Sequence, residues 1–170
     1  MKNLFIFLLI LSAGMARSQS DAIAKFFQAY SEDDRFSSVY ISPKMFQMIS
    51  KIKINDMDAD LQDFLKNIQG LHILSTEHSP KTIYKEALSK INTKEYEELM
   101  RMRDDGEDVL FLTKTQAGTD KIQELLMISG GDTEFNLISF VGDIDLNKIG
   151  RLGKSLKIHG ADHLEKIKKK

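Results

Sequence analysis

From Asp108 to Gly142 the chain alternates short apolar stretches with turn-forming connectors: DVLFLTKT, KIQELLMIS and EFNLISFVG are separated by QAGTD and GGDT. Runs this short, rich in Val, Ile, Leu and Phe and bounded by Gly, Asp and Thr, are strands joined by hairpins. Connectors of four or five residues leave no room for a crossover, so the strands must run antiparallel. Upstream, EYEELMRMR (95–103) has the Glu, Leu and Met content of a helix, yet Tyr96, Met100 and Met102 also share one face of a strand. Beside three strands of this kind, the segment is the first strand of a four-stranded meander, and DDGED (104–108) is its first turn.

The N-terminal half has a different period. DAIAKFFQAY (21–30) places Ala22, Phe26 and Tyr30 at helical spacing beside Ile23 and Phe27, behind Asp21 as a cap. FSSVYIS (36–42) is β-branched and aromatic and reads as a strand. Pro43 then opens a helix, PKMFQMISKI, capped by Ser42. A second helix is expected from about Asp58 to Gln69, with Leu61, Phe64, Leu65 and Ile68 inward and Gly70 ending it. LHILSTE (71–77) is a short strand and PKTIYKEALSKI (80–91) a helix. Leu146, Ile149, Leu152 and Leu156 place a last helix over about 145–156. The expected fold is α+β: an antiparallel sheet made of the C-terminal four-stranded meander plus one or two N-terminal strands, with helices packed largely on one face.

The first twenty residues, MKNLFIFLLILSAGMARSQS, hold one Lys and then eight apolar residues, Leu4 to Leu11. A membrane-spanning helix needs about 20. The layout is that of a secretory signal peptide, with Ala16 and Ser18 as a small-x-small cleavage site and Gln19 as the first mature residue. Residues 1–18 are therefore expected to be removed, leaving 152 of 170 as a single α+β domain (19–170) with a short basic tail (165–170). Loss of Lys2 and Arg17 lowers 24 basic residues to 22 against 25 acidic ones, a net charge of −3 that does not suit nucleic acid. The chain has no Cys. Disulfides, thiolate nucleophiles and Cys-ligated metals are excluded, as is an acylated Cys, so no stable membrane anchor is expected after cleavage. The expected location is periplasmic, with extracellular release as the alternative.

Candidate chemistry is sparse. Asp104, Asp105, Glu107 and Asp108 crowd around Gly106, but as a calcium loop of the EF-hand type, with Gly106 sixth, the segment would put Arg101 and Arg103 in ligand positions and Leu112 where a Glu must close the site. A hairpin turn accounts for the cluster. Asp143, Asp145 and Asn147 have oxygen-ligand spacing, yet Lys148 and Lys154 occupy the Gly and Glu positions; Asp145 as a helix cap explains the same residues. His72 and His78 are six apart, and His159 and His163 four apart, but HGADH lacks the Glu of a metalloprotease helix and contains Gly160. Met45, Met48, Met100, Met102 and Met127 are core filler or an adaptable binding surface. No nucleophile elbow, phosphate loop or dinucleotide fingerprint occurs. No catalytic, cofactor-binding or metal residue is expected.

The segments VYISPKMFQMIS, IQGLHILSTE, YEELMRMRDDGEDVLFLTK, IQELLMISGGDTEFNLISFVGDIDLNKI and LGKSLKI resemble, in this order, the bacterial envelope-protein family described as domain of unknown function 4252. The resemblance runs from about Phe36 to about His163, with Y-I-S-P-K-M-F and D-D-G-E its most specific parts. It implies an exported protein of a Gram-negative bacterium, often a lipoprotein, although this chain has no Cys to acylate. It implies no activity and carries over no site residue.

Taken together, the sequence points to a non-enzymatic exported module that binds a partner in the cell envelope, either a protein or a surface component. The alternative is a hydrolase or metal-dependent enzyme whose site is assembled from scattered residues. An enzyme would need convergent polar groups in a cleft, whereas a binder would need an exposed apolar patch or a free sheet edge.

Overall fold

The computed structural model describes residues 21–52, 59–119, 121–146 and 148–149. The proposed signal peptide, His159 and His163, Lys154, most of the last expected helix and the basic tail lie outside them.

The elements occur in the order α1 (Asp21–Tyr30), β1 (Ser37–Ile41), α2 (Pro43–Ile49), α3 (Ala59–Lys66), β2 (Ile68–Thr76), α4 (Pro80–Lys90), β3 (Glu97–Asp104), β4 (Glu107–Thr115), β5 (Ile122–Gly130) and β6 (Phe135–Ile144). The architecture is α+β, with all six strands antiparallel in one open sheet of order β1-β2-β6-β5-β4-β3. After β2 the chain crosses the sheet through α4 to the far edge at β3. The expected meander then runs back strand by strand until β6 lies against β2, pairing Leu71 with Phe140 and His72 with Ser139.

Helices cover both faces of this sheet, a wider distribution than the expected one. Phe46 of α2 and Leu61, Phe64 and Leu65 of α3 pack with Val109, Phe111, Leu125, Met127, Ile138 and Phe140. Ile23, Phe26 and Phe27 of α1 and Ile83, Tyr84 and Ala87 of α4 pack on the other side with Leu110, Leu112, Leu126, Ile128 and Leu137. The reason lies in the strands. Successive side chains of β4, β5 and β6 point to opposite faces and nearly all of those at their centres are apolar, so each face needs its own cover.

Local signals set most element ends. Ser42 is extended and its hydroxyl accepts from Met45 N at 3.3 Å, with Pro43 in the first turn of α2. The expected helix to Gln69 is corrected: α3 stops at Lys66, Ile68 already belongs to β2, and Gly70 lies inside a bulged strand opposite Val141. Pairing with β6 buries Ile68 in the core, and this outweighs the helical spacing that Ile68 shares with Leu61 and Leu65.

Candidate functional site

The acidic cluster forms the tip of the β3–β4 hairpin. Asp105 has φ 46° and Gly106 φ 83°, so both residues of the two-residue loop are left-handed, as in a type I′ turn. Asp108 accepts from Arg103 Nε at 2.5 Å and Nη2 at 3.0 Å, which holds its carboxyl below the ordinary range. Asp143 is exposed and lies 3.3 Å from Lys121 Nζ, while the Asp145 carbonyl accepts from the backbone amides of Lys148 and Ile149 and opens a helical turn. Asn147, the third member of that set, lies outside the described residues. His72 and His78 do not converge. His72 is half-buried in β2, whereas His78 is exposed beyond the strand end, where its amide donates to Thr76 Oγ1. Among the described residues no three metal-ligating side chains come together. The methionines divide: Met127 is core, Met100 and Met102 are half-buried against it, and Met45 and Met48 are exposed on α2.

Two further features emerge that the sequence does not single out. The first is a polar end on the α1/α4 face of the sheet. Glu124 of β5 accepts from the Tyr96 hydroxyl at 2.8 Å and from the Ser139 hydroxyl at 2.7 Å. Lys114 Nζ lies 3.2 Å from Glu95 and 5.7 Å from the Tyr96 ring centroid. Burial first, then the Glu124 charge and hydrogen bond, push the Tyr96 phenol well above the ordinary tyrosine range. Register shifts in β4 and β5 fall at this same end, and a cleft of about 340 Å³ opens beside it, lined in part by Lys114, Lys121, Glu124 and Asp143. The sequence signal was the single acidic residue inside KIQELLMIS.

The second feature is the contrast between the two sheet edges. At one edge β3 carries Glu97, Glu98, Arg101, Arg103 and Asp104 and is interrupted by a register shift between Glu98 and Met100. Charge and irregularity of this kind keep other strands from adding to an edge. The opposite edge, β1, reads Ser37-Ser38-Val39-Tyr40-Ile41, with no charge and no bulge, and among the described residues it pairs only with β2. Its outer row of backbone groups faces away from the sheet. Val39 and Tyr40, together with Met45, Met48 and Ile52 on and just after α2, are each 43–59% exposed. Val39 and Tyr40 point to opposite faces. Tyr40 stacks on His72 at 4.5 Å between ring centroids, and Phe27 holds the same imidazole at 5.1 Å. Burial lowers the His72 pKa, and the Glu124 carboxylate opposes that shift.

Among the described residues no helix is long and apolar enough to cross a membrane. A family model described as a domain of unknown function (DUF4252) matches residues 30–152, which includes every strand. No curated protein and no solved structure matches the chain.

Proposed function

Because the chain belongs to the DUF4252 family, a membership that assigns no activity, we propose from its surface that it is a non-enzymatic exported module which binds a partner in the bacterial cell envelope by adding an extended segment of that partner to β1. One observation carries this reading: of the two sheet edges, each unpaired on its outer side among the described residues, β3 is charged and bulged, while β1 is uncharged, regular and carries exposed apolar side chains on both faces. Strand addition draws affinity from main-chain hydrogen bonds and selectivity from alternate side chains. Val39 and Met45 would receive one set and Tyr40 the other. Export rests on the Leu4–Leu11 run and the Ala16-x-Ser18 site, with the periplasm as the compartment.

The alternative, a hydrolase or metal-dependent enzyme, would use the cleft at Lys114, Lys121, Glu124 and Asp143. Each of those charges already has a neighbour: Lys114 has Glu95, Lys121 has Asp143, and Glu124 holds two hydroxyls. The edge is therefore the better supported site.

A photo-crosslinking residue placed at Tyr40 in living cells tests the proposal. It should give a discrete adduct with an envelope component, and the same probe at Leu99 on β3 should not. Equal labelling from both edges, or none from Tyr40, would remove the support for β1.

A further inference from the structure

Building on that reading of the β1 edge, we infer that when no envelope partner is bound the edge is closed by a second copy of this chain, paired antiparallel with itself about a two-fold axis at Val39. A foreign segment must then displace this pairing.

Three observations converge on a copy of the same strand. The first is register. β1 has five residues, and a two-fold at its middle residue sets Val39 against Val39 on the axis, with Ser38 against Tyr40 and Ser37 against Ile41 each occurring twice, as a self-complementary interface requires. The strand has no charged residue, so self-pairing opposes no like charges, and its centre is a β-branched pair of the kind that stabilises neighbouring strands.

The second is charge at the flanks. An acidic turn, Glu32 to Asp34, precedes β1, and Lys44 lies beyond its other end. Asp33 is already held by Arg35 at 2.6 Å, whereas among the described residues neither Asp34 nor Lys44 has an ion pair within its own copy. Antiparallel self-pairing sets the end of β1 that follows the Asp34 turn beside the end of the other copy's β1 that leads into Lys44, so the charges flanking the two strands are of opposite sign at each end. β3 offers no such match, because its register shift and its mixed charges interrupt any self-pairing.

The third is the position of the exposed apolar groups. Val39 lies on the α2/α3 face and Tyr40 on the other, so one strand pairing covers both. Met45 and Met48 on α2 and Ile52 just after it are exposed, whereas Phe46 of the same helix is buried, and Ser42 alone separates α2 from the strand. These exposed apolar side chains follow the paired edge directly in the chain and add to a contact that five residues of strand would leave small. Such an interface falls at the small end of specific contacts, and a dissociation constant on the order of micromolar suits it.

The absence of Cys from the chain makes the register directly testable. Residues that face each other across an antiparallel pair have Cα atoms about 4.5–5.5 Å apart, within the reach of a disulfide. In the protein purified as the cell accumulates it, Val39→Cys should form a covalent dimer under mild oxidation. Ser38→Cys and Tyr40→Cys should each stay monomeric alone and cross-link when mixed. The unmodified protein should gain mass with concentration in sedimentation, and Val39→Lys, which sets two ammonium groups face to face, should remain monomeric, with the melting temperature that the unmodified protein has when too dilute to dimerise. Should a cysteine variant misfold, Asp34→Lys and Lys44→Asp should each weaken the dimer at least threefold, and the double variant should restore it. A monomer at all concentrations, or Val39→Cys cross-linking no better than Ser38→Cys alone, overturns the self-pairing. That result, combined with a foreign adduct at Tyr40, would leave the envelope-binding reading standing. A dimer whose Tyr40 probe labels only its own copy would do the reverse.

Discussion

The ring of Tyr84 fills the space where residue 130 would carry a side chain: a Cβ built on Gly130 would lie 2.5 Å from Tyr84 Cβ and 2.7 Å from its Cγ. Tyr84 is buried on α4 and Gly130 ends β5, so this contact seats the crossover helix on the sheet. Gly130→Ala should destabilise the fold by about 1–3 kcal/mol through overpacking. The cost should shrink in part when Tyr84→Ala is also present, because alanine removes the ring but keeps the Cβ, and urea unfolding of the two single variants and the double would show that coupling. Additive effects would mean that the contact with Tyr84 Cβ, and not the ring, carries the cost.

The β3–β4 turn gives a second expectation. A Cβ on Gly106 would meet only Asp132 Oδ2, at 3.4 Å, so the site has room and the demand is for backbone conformation. Gly106→Val should cost about 1–3 kcal/mol, because a β-branched residue is strained at φ 83°. Asp105→Asn with Glu107→Gln should change unfolding free energy by less than about 0.5 kcal/mol, as an exposed and a half-exposed charge contribute little. A carboxylate pair that proved costly to neutralise while Gly106→Val was silent would contradict the turn reading.

Glu124 is the acceptor for two hydroxyls, one of them on buried Ser139. Glu124→Leu should cost about 1–3 kcal/mol by leaving those donors unsatisfied. Glu124→Gln retains one acceptor oxygen and should cost less. In alkaline titration followed by ultraviolet absorbance Tyr96 should ionise only well above the ordinary tyrosine range. Since burial is the larger cause of its raised pKa, Glu124→Gln should bring it only part of the way back. A raised phenol contributes stability that is complete below about pH 10 and is lost above it, so the fold should weaken on the alkaline side.

Acid should act in two stages. His72 has a lowered pKa in the fold, and the unfolded chain therefore takes up its proton first; stability should decline gently as pH falls below about 6.5, and His72→Gln should abolish that decline. Asp33 is held at about 2 by its hydrogen bonds from Arg35, and Glu86, Glu98 and Asp108 are lowered by Lys90, Arg101 and Arg103. Their stabilisation is present above about pH 4 and should be lost as pH falls toward 2. Melting temperatures from pH 8 to 2, with and without roughly 0.5 M salt as a screening control, would resolve the stages. A flat profile down to pH 4 would show that His72 titrates normally.

Export has a direct readout. N-terminal sequencing of the protein from the envelope fraction should begin at or within a few residues of Gln19, as the Ala16-x-Ser18 site requires. A cytoplasmic protein retaining Met1 would overturn it.

What the sequence determined by itself was local. Ser42-Pro43 started α2, Asp105-Gly106 turned the β3–β4 hairpin, and short apolar runs with four- or five-residue connectors committed β4, β5 and β6 to an antiparallel meander, because caps, positive φ and closure of a short loop depend on residues adjacent in the chain. The nearly unbroken apolar run in DVLFLT even carries the sign of a strand buried on both faces, although the alternation in EYEELMRMR points to one. The end of α3 escapes a local reading because helical spacing continues through Ile68, and only pairing with β6 draws that residue into a strand. The tertiary structure alone decided that β6 inserts beside β2, pairing Leu71 with Phe140, and that Glu124, Tyr96 and Ser139 meet. It also decided that the uncharged strand SSVYI, visible as a strand from its composition, stands at an edge with one side unpaired among the described residues. Pairings across such separations are chosen by collective burial of two apolar faces, a property of the whole sheet that no window of neighbouring residues contains.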